Sequence, residues 1–396
     1  MTSQRIASGN GHSTWLSLPP QCAKFSAGTQ HHCARPSPRV PINDQLRTMA
    51  YCEANLGVCE IGVFGEPGHS AKETRTNMKA AVLRELGKAP RYEDFAEPVA
   101  GPGEAIVRVL AASLKPIDKQ LAAGTHYASP RELPVVCGAD GVGEIADETR
   151  VFFGGPRRPY GAMAERTVVP AGFCFPVPKE MDDATAAALP NPGVSALLSL
   201  NSRAKVAKGE TVLILGATGI TGTIAVQIAK LLGAGRVIGA GRNPEALEKL
   251  RGLGADAAIQ LNQPEEDLKK QFAREAGEAG FNVIIDYVWG RPTEVLLAAI
   301  TRHEFAAVDP EVRLLQVGES AGPNISLPAA VLRSTALTIL GTAGMPAPEV
   351  LLAAMQQVLA WGAAGTLRIE TEKVPLGDIE QAWQRAERSR RLVVIP

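Results

Sequence analysis

Residues 211–222 read Thr-Val-Leu-Ile-Leu-Gly-Ala-Thr-Gly-Ile-Thr-Gly, and no other stretch restricts the possible folds as much. An apolar, strand-type run enters glycines at 216, 219 and 222. The chain then continues with Ile220, Ile224, Ile228 and Leu231 on one helical face. Gly216 permits a tight turn, Gly219 lets backbone N–H groups approach a pyrophosphate, and Gly222 lets helix and strand pack closely. The contacts would come from Gly216, Ala217, Thr218, Gly219, Ile220, Thr221 and Gly222, at a helix N-terminus whose unpaired N–H groups and dipole favour anions. The spacing is G-x-x-G-x-x-G, and an ordinary strand–helix turn is the alternative. The ordered strand, turn, helix and second strand favour a dinucleotide site.

The surrounding pattern agrees. Strands are expected at 236–240, 283–286, 313–317 and 337–340, and helices at 220–232, 244–253 and 350–361, with a terminal strand at 392–395. Such alternation implies βαβ crossovers and a parallel sheet. An NAD-binding chain places Asp or Glu about 20 residues beyond the glycines to hold the ribose 2′-hydroxyl. Here the second strand ends Gly239-Ala-Gly-Arg-Asn243 without a carboxylate. Arg242, with Asn243 beside it, offers a planar guanidinium suited to a 2′-phosphate. NADP(H) is therefore the expected cofactor, a solvated surface arginine being the other reading. Gln316 and Gly318 end another sheet strand, where the crevice of an open sheet binds ligands. Tyr287 and Trp289 follow a third, where they wall the cofactor or simply pack.

Earlier in the chain the texture differs. Short strands at 79–83, 105–112, 137–145, 150–153 and 165–169 are separated by Gly and Pro, as in an antiparallel, barrel-like domain. Asp182 or Asp183 caps a helix over 185–189, and Pro190 and Pro192 interrupt before a helical run from Ser195. Before Met78 there is no sustained periodicity. That segment is basic at its start, contains Ser and lacks acids until Asp44, which suits either a transit peptide or an upstream start preceding the functional protein at Met78. Cys22, Cys33, His31 and His32 there match no standard zinc spacing, and a disordered extension over 1–77 is expected.

Composition excludes several classes. With 41 basic and 41 acidic residues among 396, the chain lacks the basic footprint of a nucleic-acid binder. No stretch approaches the roughly 20 apolar residues of a membrane-spanning helix. Cysteine usage supports no disulfide framework, so a reducing, cytoplasmic location is expected.

The portion from Met78 to Pro396 resembles the medium-chain dehydrogenase/reductase superfamily, in its zinc-free quinone oxidoreductase branch. The resemblance rests on Met78-Lys-Ala-Ala-Val, Ala112-Ser-Leu-Lys-Pro-Ile-Asp118, Gly138-Ala-Asp-Gly-Val-Gly143, the stretch from Gly216 through Ala225-Val-Gln-Ile-Ala-Lys230, Gly254-Ala-Asp256 and Arg391-Leu-Val-Val-Ile-Pro396. It implies an α/β chain in which 78–190 with 327–396 form a GroES-like, β-barrel-type catalytic domain. Residues 191–326 would form a Rossmann domain with a doubly wound parallel sheet, with the active site between the two. It also implies a homodimer or homotetramer pairing through the sheet near 335–342.

Zinc-dependent relatives take a Cys from the segment matching 113–118 and a His from the one matching 138–140. This chain has neither, and it also lacks the cysteine cluster of a structural zinc, so no metal is expected. Cys137 reads as a buried structural thiol. In the resembling branch the position of Lys115 is usually an Asn lining the nicotinamide pocket. The Lys115 ammonium could stabilise an oxyanion or donate a proton, or it could be tied to Asp118 or Asp140. Tyr127 could hydrogen-bond a substrate carbonyl or sit idle on the cleft rim. Ser195 matches a hydroxyl that borders the nicotinamide, with a helix cap as the rival, and His303 reads as solvated. The chain is thus expected to be an NADPH-dependent reductase of quinones or α,β-unsaturated carbonyls acting on a small molecule. An alcohol or aldehyde oxidoreductase and an NADPH-binding sensor with little catalysis are the alternatives.

Overall fold

In a computed structural model the strand that feeds the glycine turn, Thr211–Leu215, lies inside a six-stranded parallel sheet. The structure describes residues 76–302, 311–342, 344, 346–385 and 390–396. The expectations for the N-terminal cysteines and histidines, and for His303, lie outside the described residues. Across the sheet the strands are Ala257–Gln260, Arg236–Gly241, Thr211–Leu215, Val283–Asp286, Val312–Gln316 and Leu337–Gly341. Numbered along the chain, that order is 3-2-1-4-5-6, and the winding reverses between Thr211–Leu215 and Val283–Asp286.

The apolar runs form strands because both faces of the sheet are covered. Val212 and Ile214 face one core with Ile224 and Ile228 of the helix Ile220–Leu231. Leu213 and Leu215 face another, with Leu268 and Phe272 of Glu265–Ala276 and with Val295 and Leu296 of Gly290–Ile300. The sheet is therefore wound on both sides.

Two further sheets are built from the first half of the chain and its end. Asn77–Leu83 pairs with Arg91–Ala96 and Val135–Val136. The larger sheet runs Thr371–Pro375, Arg391–Ile395, Glu104–Ser113, Asp140–Glu144, Arg150–Gly154 and Cys174–Pro176, and Arg166–Pro170 also pairs with Glu104–Ser113. Its pairings are antiparallel except that between Thr371–Pro375 and Arg391–Ile395.

Three expectations are corrected. The strand expected over 137–145 is confined to Asp140–Glu144, because the chain bends at Gly138 (φ +102°), where a Cβ would sit 2.8 Å from the Met163 nitrogen, and Val135–Val136 before the bend pairs in the other sheet. The helical run expected from Ser195 starts earlier: the first helix ends at Ala188, the second opens at Pro190, and Pro192 lies inside it. Pro190 is the first residue of Pro190–Leu197, where its missing N–H costs nothing. The boundary at 326/327 falls too early, since Leu337–Gly341 pairs in parallel with Val312–Gln316, so the parallel-sheet part extends at least to Gly341. Asp182 does cap its helix, accepting the N–H groups of Ala184 and Thr185.

Candidate active site

The glycine turn sits where the sheet reverses its winding, the place where open α/β sheets bind ligands. Gly216 adopts φ +83°, and the N–H groups of Gly216 and Ala217 both donate to the Ala240 carbonyl at 2.9 Å. A Cβ on Gly222 would run into the Gly216 carbonyl oxygen and lie 2.7 Å from the Ala217 Cα, so only glycine fits. Gly219 differs. It is exposed, and the nearest atom to a Cβ there would be the Gly216 oxygen at 3.4 Å. It is also the N-cap of Ile220–Leu231 and brings no capping side chain, so the first-turn N–H groups face an open side. Such a cradle fits a pyrophosphate.

The neighbouring strand ends fix the turn in place. A Cβ on Gly241 would meet the Thr218 side chain, and one on Gly216 would lie 3.0 Å from Val288 and 3.2 Å from Tyr287. Buried Asp286 holds the 287–290 turn by accepting the N–H groups of Val288 and Trp289, both at 2.8 Å, and the Thr293 hydroxyl at 2.5 Å. Gln316 donates to the Gly318 carbonyl at 3.2 Å, and Gly318 packs on the Tyr287 carbonyl. The Tyr287 hydroxyl is buried without a hydrogen-bond partner among the described residues, and burial raises its pKa. The Tyr287 Cβ lies beside Gly216, and an unpaired buried hydroxyl is the kind of group a bound ligand or an ordered water satisfies.

Arg242 stands exposed at the tip of Arg236–Gly241, as the sequence suggests. Asn243 is used locally: its Oδ1 accepts the N–H groups of Glu245 and Ala246 and caps Pro244–Arg251. A cavity of about 580 Å³ opens beside the turn, lined by Thr218, Ile220 and Thr223 and by Ala246 of the next helix. Arg242 is not in its wall, whereas Lys249 and Arg368 are. Neither cation was singled out from sequence. Lys249 lies one turn beyond Ala246, but Arg368 arrives from a distant segment with no local signal.

Lys115 is 1% exposed and tied to both carboxylates that the sequence offers it. Its Nζ lies 2.9 Å from Asp140 Oδ1, 3.2 Å from Asp118 Oδ2 and 2.9 Å from the Ser113 carbonyl. Burial would lower its pKa, but Asp118 and Asp140 outweigh that and hold it above the ordinary lysine value. All three ammonium protons are thus engaged inside the protein, and direct donation to a substrate is not what the geometry provides. Asp118 earns its place by helix chemistry: Pro116 starts Pro116–Ala123, and Asp118 accepts the Lys115 N–H at 2.9 Å and the Ala139 N–H at 3.0 Å. The sequence missed one member. Asn191 donates from Nδ2 to Asp140 Oδ2 at 3.2 Å, across 51 residues.

Asp118, Gly138 and Ala139 line a smaller, mainly apolar cavity of about 220 Å³, with Ile117, Leu121 and Tyr160. Tyr127 is outside its wall. It is 97% exposed, its ring lies against His126, and it borders an adjoining surface hollow with Arg131 and with Arg158, which lines both spaces. Ser195 is half-buried in the middle of Pro190–Leu197, so it caps nothing. Burial raises the Cys137 thiol far above its usual pKa. Among the described residues, no group of three or more His, Cys, Asp or Glu side chains is arranged to hold a metal, and no helix is long and apolar enough to cross a membrane.

A family model described as zinc-binding dehydrogenase matches residues 221–361. The chain is 27% identical over 272 residues to quinone oxidoreductase-like protein 2 of Bos taurus, covering 67% of this chain and 75% of that one. It is 29% identical over 216 residues to the chloroplastic NADPH-dependent alkenal/one oxidoreductase of Arabidopsis thaliana, covering 49% and 55%. In three dimensions it matches the Thermus thermophilus quinone oxidoreductase, solved alone and with NADPH, at a TM-score of 0.66 and 27% identity, covering 81% of this chain and 100% of that one. By its sheet order, its glycine turn and these relatives, the chain is similar to the medium-chain dehydrogenase/reductase superfamily, on the quinone oxidoreductase-like branch.

Proposed function

We propose that this chain is an NADPH-dependent oxidoreductase that reduces a quinone or an α,β-unsaturated carbonyl without a metal. The observation that carries this is the open glycine cradle at the sheet's switch point, followed by a strand tip bearing Arg242 and no carboxylate. The first-turn N–H groups of Ile220–Leu231 would hold the pyrophosphate. Arg242, with Lys249 and Arg368 on the cavity wall, would face the 2′-phosphate. Bound NADPH supplies the hydride. The protein orients the acceptor and stabilises the oxygen that gains charge. Zinc does not suit these side chains. Lys115 brings a cation of its own into the segment that supplies a Cys ligand in zinc-dependent relatives, Ala139 offers no ligand atom, and burial holds the Cys137 thiol in its protonated form.

The test is NADPH absorbance at 340 nm against quinones, enones and aldehydes, with NADH and a chelator in parallel. Turnover of a quinone or enone that prefers NADPH and ignores the chelator is expected. Arg242→Ala should cut kcat/KM for NADPH about tenfold to a hundredfold, from the loss of a charged hydrogen bond of roughly 1.5–3 kcal/mol, and leave NADH nearly unchanged. Aldehyde turnover abolished by chelator would transfer the chain to the zinc alcohol dehydrogenases. Tight NADPH binding with no acceptor reduced would make it a sensor.

The protein would work as a homodimer or homotetramer in a reducing cytoplasm. Leu337–Gly341 is the last strand of the parallel sheet, with Ile339 36% exposed on it and Leu332 exposed nearby. Such an edge invites pairing with a second copy. Light scattering should report at least twice the chain mass, and Ile339→Lys should reduce it to that of one chain. A wild-type monomer ends this part of the reading.

A further inference from the structure

Within the helix Pro190–Leu197 every residue is buried except Asn191 and Ser195. Four positions apart, these two lie on one face, so the helix presents a single polar stripe to open space. Asn191 is also the outlet of the buried charge cluster. Its Nδ2 donates to Asp140 Oδ2 at 3.2 Å, the other Asp140 oxygen accepts from Lys115 at 2.9 Å, and Lys115 continues to Asp118 at 3.2 Å. Asp118 in turn lines the apolar cavity together with Ala139. One polar chain therefore joins the cavity wall to the exposed stripe.

We propose that Asn191 is a catalytic residue, whose side-chain amide donates a hydrogen bond to the acceptor's carbonyl oxygen, with Asp140 and Lys115 as positioning residues behind it. This rests on the reductase reading above. A carboxylate only accepts hydrogen bonds, so Asp140 sets the orientation of the amide: Nδ2 must face it. One N–H is used on Asp140 and the second remains for a ligand. Lys115 has no proton to spare, because its three donors already meet Ser113, Asp118 and Asp140. Its part is electrostatic. Asp118 and Asp140 alone would place two negative charges behind an oxygen that is becoming negative. Lys115, with buried Arg391 close enough to act on Asp140, cancels them.

For an enone the step balances as follows. Hydride from NADPH forms a C–H bond at the β-carbon, the C=C pair shifts toward the carbonyl, and the oxygen becomes an enolate held by the Asn191 N–H. Water at the open face then supplies the proton to the α-carbon. The acceptor gains two electrons and NADPH becomes NADP+. Asn191 thus serves as an oxyanion donor.

The full-length protein should be compared with Asn191→Ala and Asn191→Leu, both at an exposed position. With an enone, kcat should fall roughly 10²-fold, the scale of losing one such donor, while KM moves less than threefold. The Kd for NADPH, read by fluorescence, should not change. A readout independent of turnover is binding of p-nitrophenolate to the NADP+-loaded protein, followed at 400 nm. The wild type should bind it at least tenfold more tightly than either variant. A wild type that turns over enones while both variants keep kcat and p-nitrophenolate affinity within twofold overturns the proposal. A wild type that reduces nothing, yet loses p-nitrophenolate affinity on substitution, keeps the anion site and removes the reductase reading instead.

Discussion

Replacing Lys115 with methionine is expected to destabilise the fold by roughly 3–5 kcal/mol near neutral pH, the cost of leaving a buried charge without its partner. The total stability of a domain is only about 5–15 kcal/mol. Lys115 and Asp118 are almost entirely shielded from water and Asp140 nearly so. Methionine has the length of the lysine stem and fills its volume, so the loss is electrostatic rather than a cavity. The two carboxylates would differ. Asp118 keeps the N–H groups of residue 115 and Ala139, whereas Asp140 keeps the Asn191 amide and the nearby charge of Arg391.

The pH dependence follows from the sign of the shift. Burial already holds the folded-state pKa of Asp140 above its ordinary value against the pull of Lys115, and removing Lys115 raises it further, so the folded variant binds more protons relative to the unfolded chain than the wild type does. Its stability then falls as pH rises through that range and recovers on acidification. Denaturation of Lys115→Met should therefore show a larger deficit at pH 8 than at pH 5.5, and Lys115→Met with Asp140→Asn should regain a good part of it. A deficit below about 1 kcal/mol at pH 8, equal at both pH values, would falsify the account of the cluster.

Sequence pattern reached furthest where structure is local. The run 211–215, the glycines after it and the apolar stripe at 220, 224, 228 and 231 are all fixed by neighbours within a turn, and the strand and helix formed within a residue of expectation. Arg91–Ala96 left no such mark, because it is an edge strand with no buried residue. Glu265–Ala276 is a surface helix burying only Leu268 and Phe272, too sparse a pattern to stand out. The membership of Leu337–Gly341 in the parallel sheet depends on pairing with a strand 25 residues earlier in register, which no window over 327–396 reports. The site divides the same way. The cradle was legible, and so were the two carboxylates available to Lys115. That Lys115 takes both, that Asn191 joins them, and that Tyr127 stands clear of the cavity are facts of long-range packing.

The second large effect is expected in the cradle, where two alanine substitutions three residues apart should behave differently. At Gly222 the new Cβ would overlap the Gly216 carbonyl oxygen and crowd Ala217 and the Gly216 carbonyl carbon at 2.7 and 2.9 Å. The turn has to open, which costs about 1–3 kcal/mol of overpacking and moves the N–H groups off their aim. Gly222→Ala should therefore lose stability and at least a hundredfold in NADPH affinity together. At Gly219 the backbone has φ −79° and ψ 163°, which alanine adopts freely, and the Cβ meets nothing closer than 3.4 Å. Its methyl group projects into the open side instead, where a pyrophosphate would approach the helix N-terminus. Gly219→Ala should keep wild-type stability, within about 0.5 kcal/mol for an unstrained exposed site, and still bind NADPH at least tenfold more weakly. Titration of NADPH fluorescence beside chemical denaturation separates the two. Should Gly219→Ala bind NADPH as the wild type does, the phosphates do not lie on that face, and the first-turn N–H groups of Ile220–Leu231 are not what holds them.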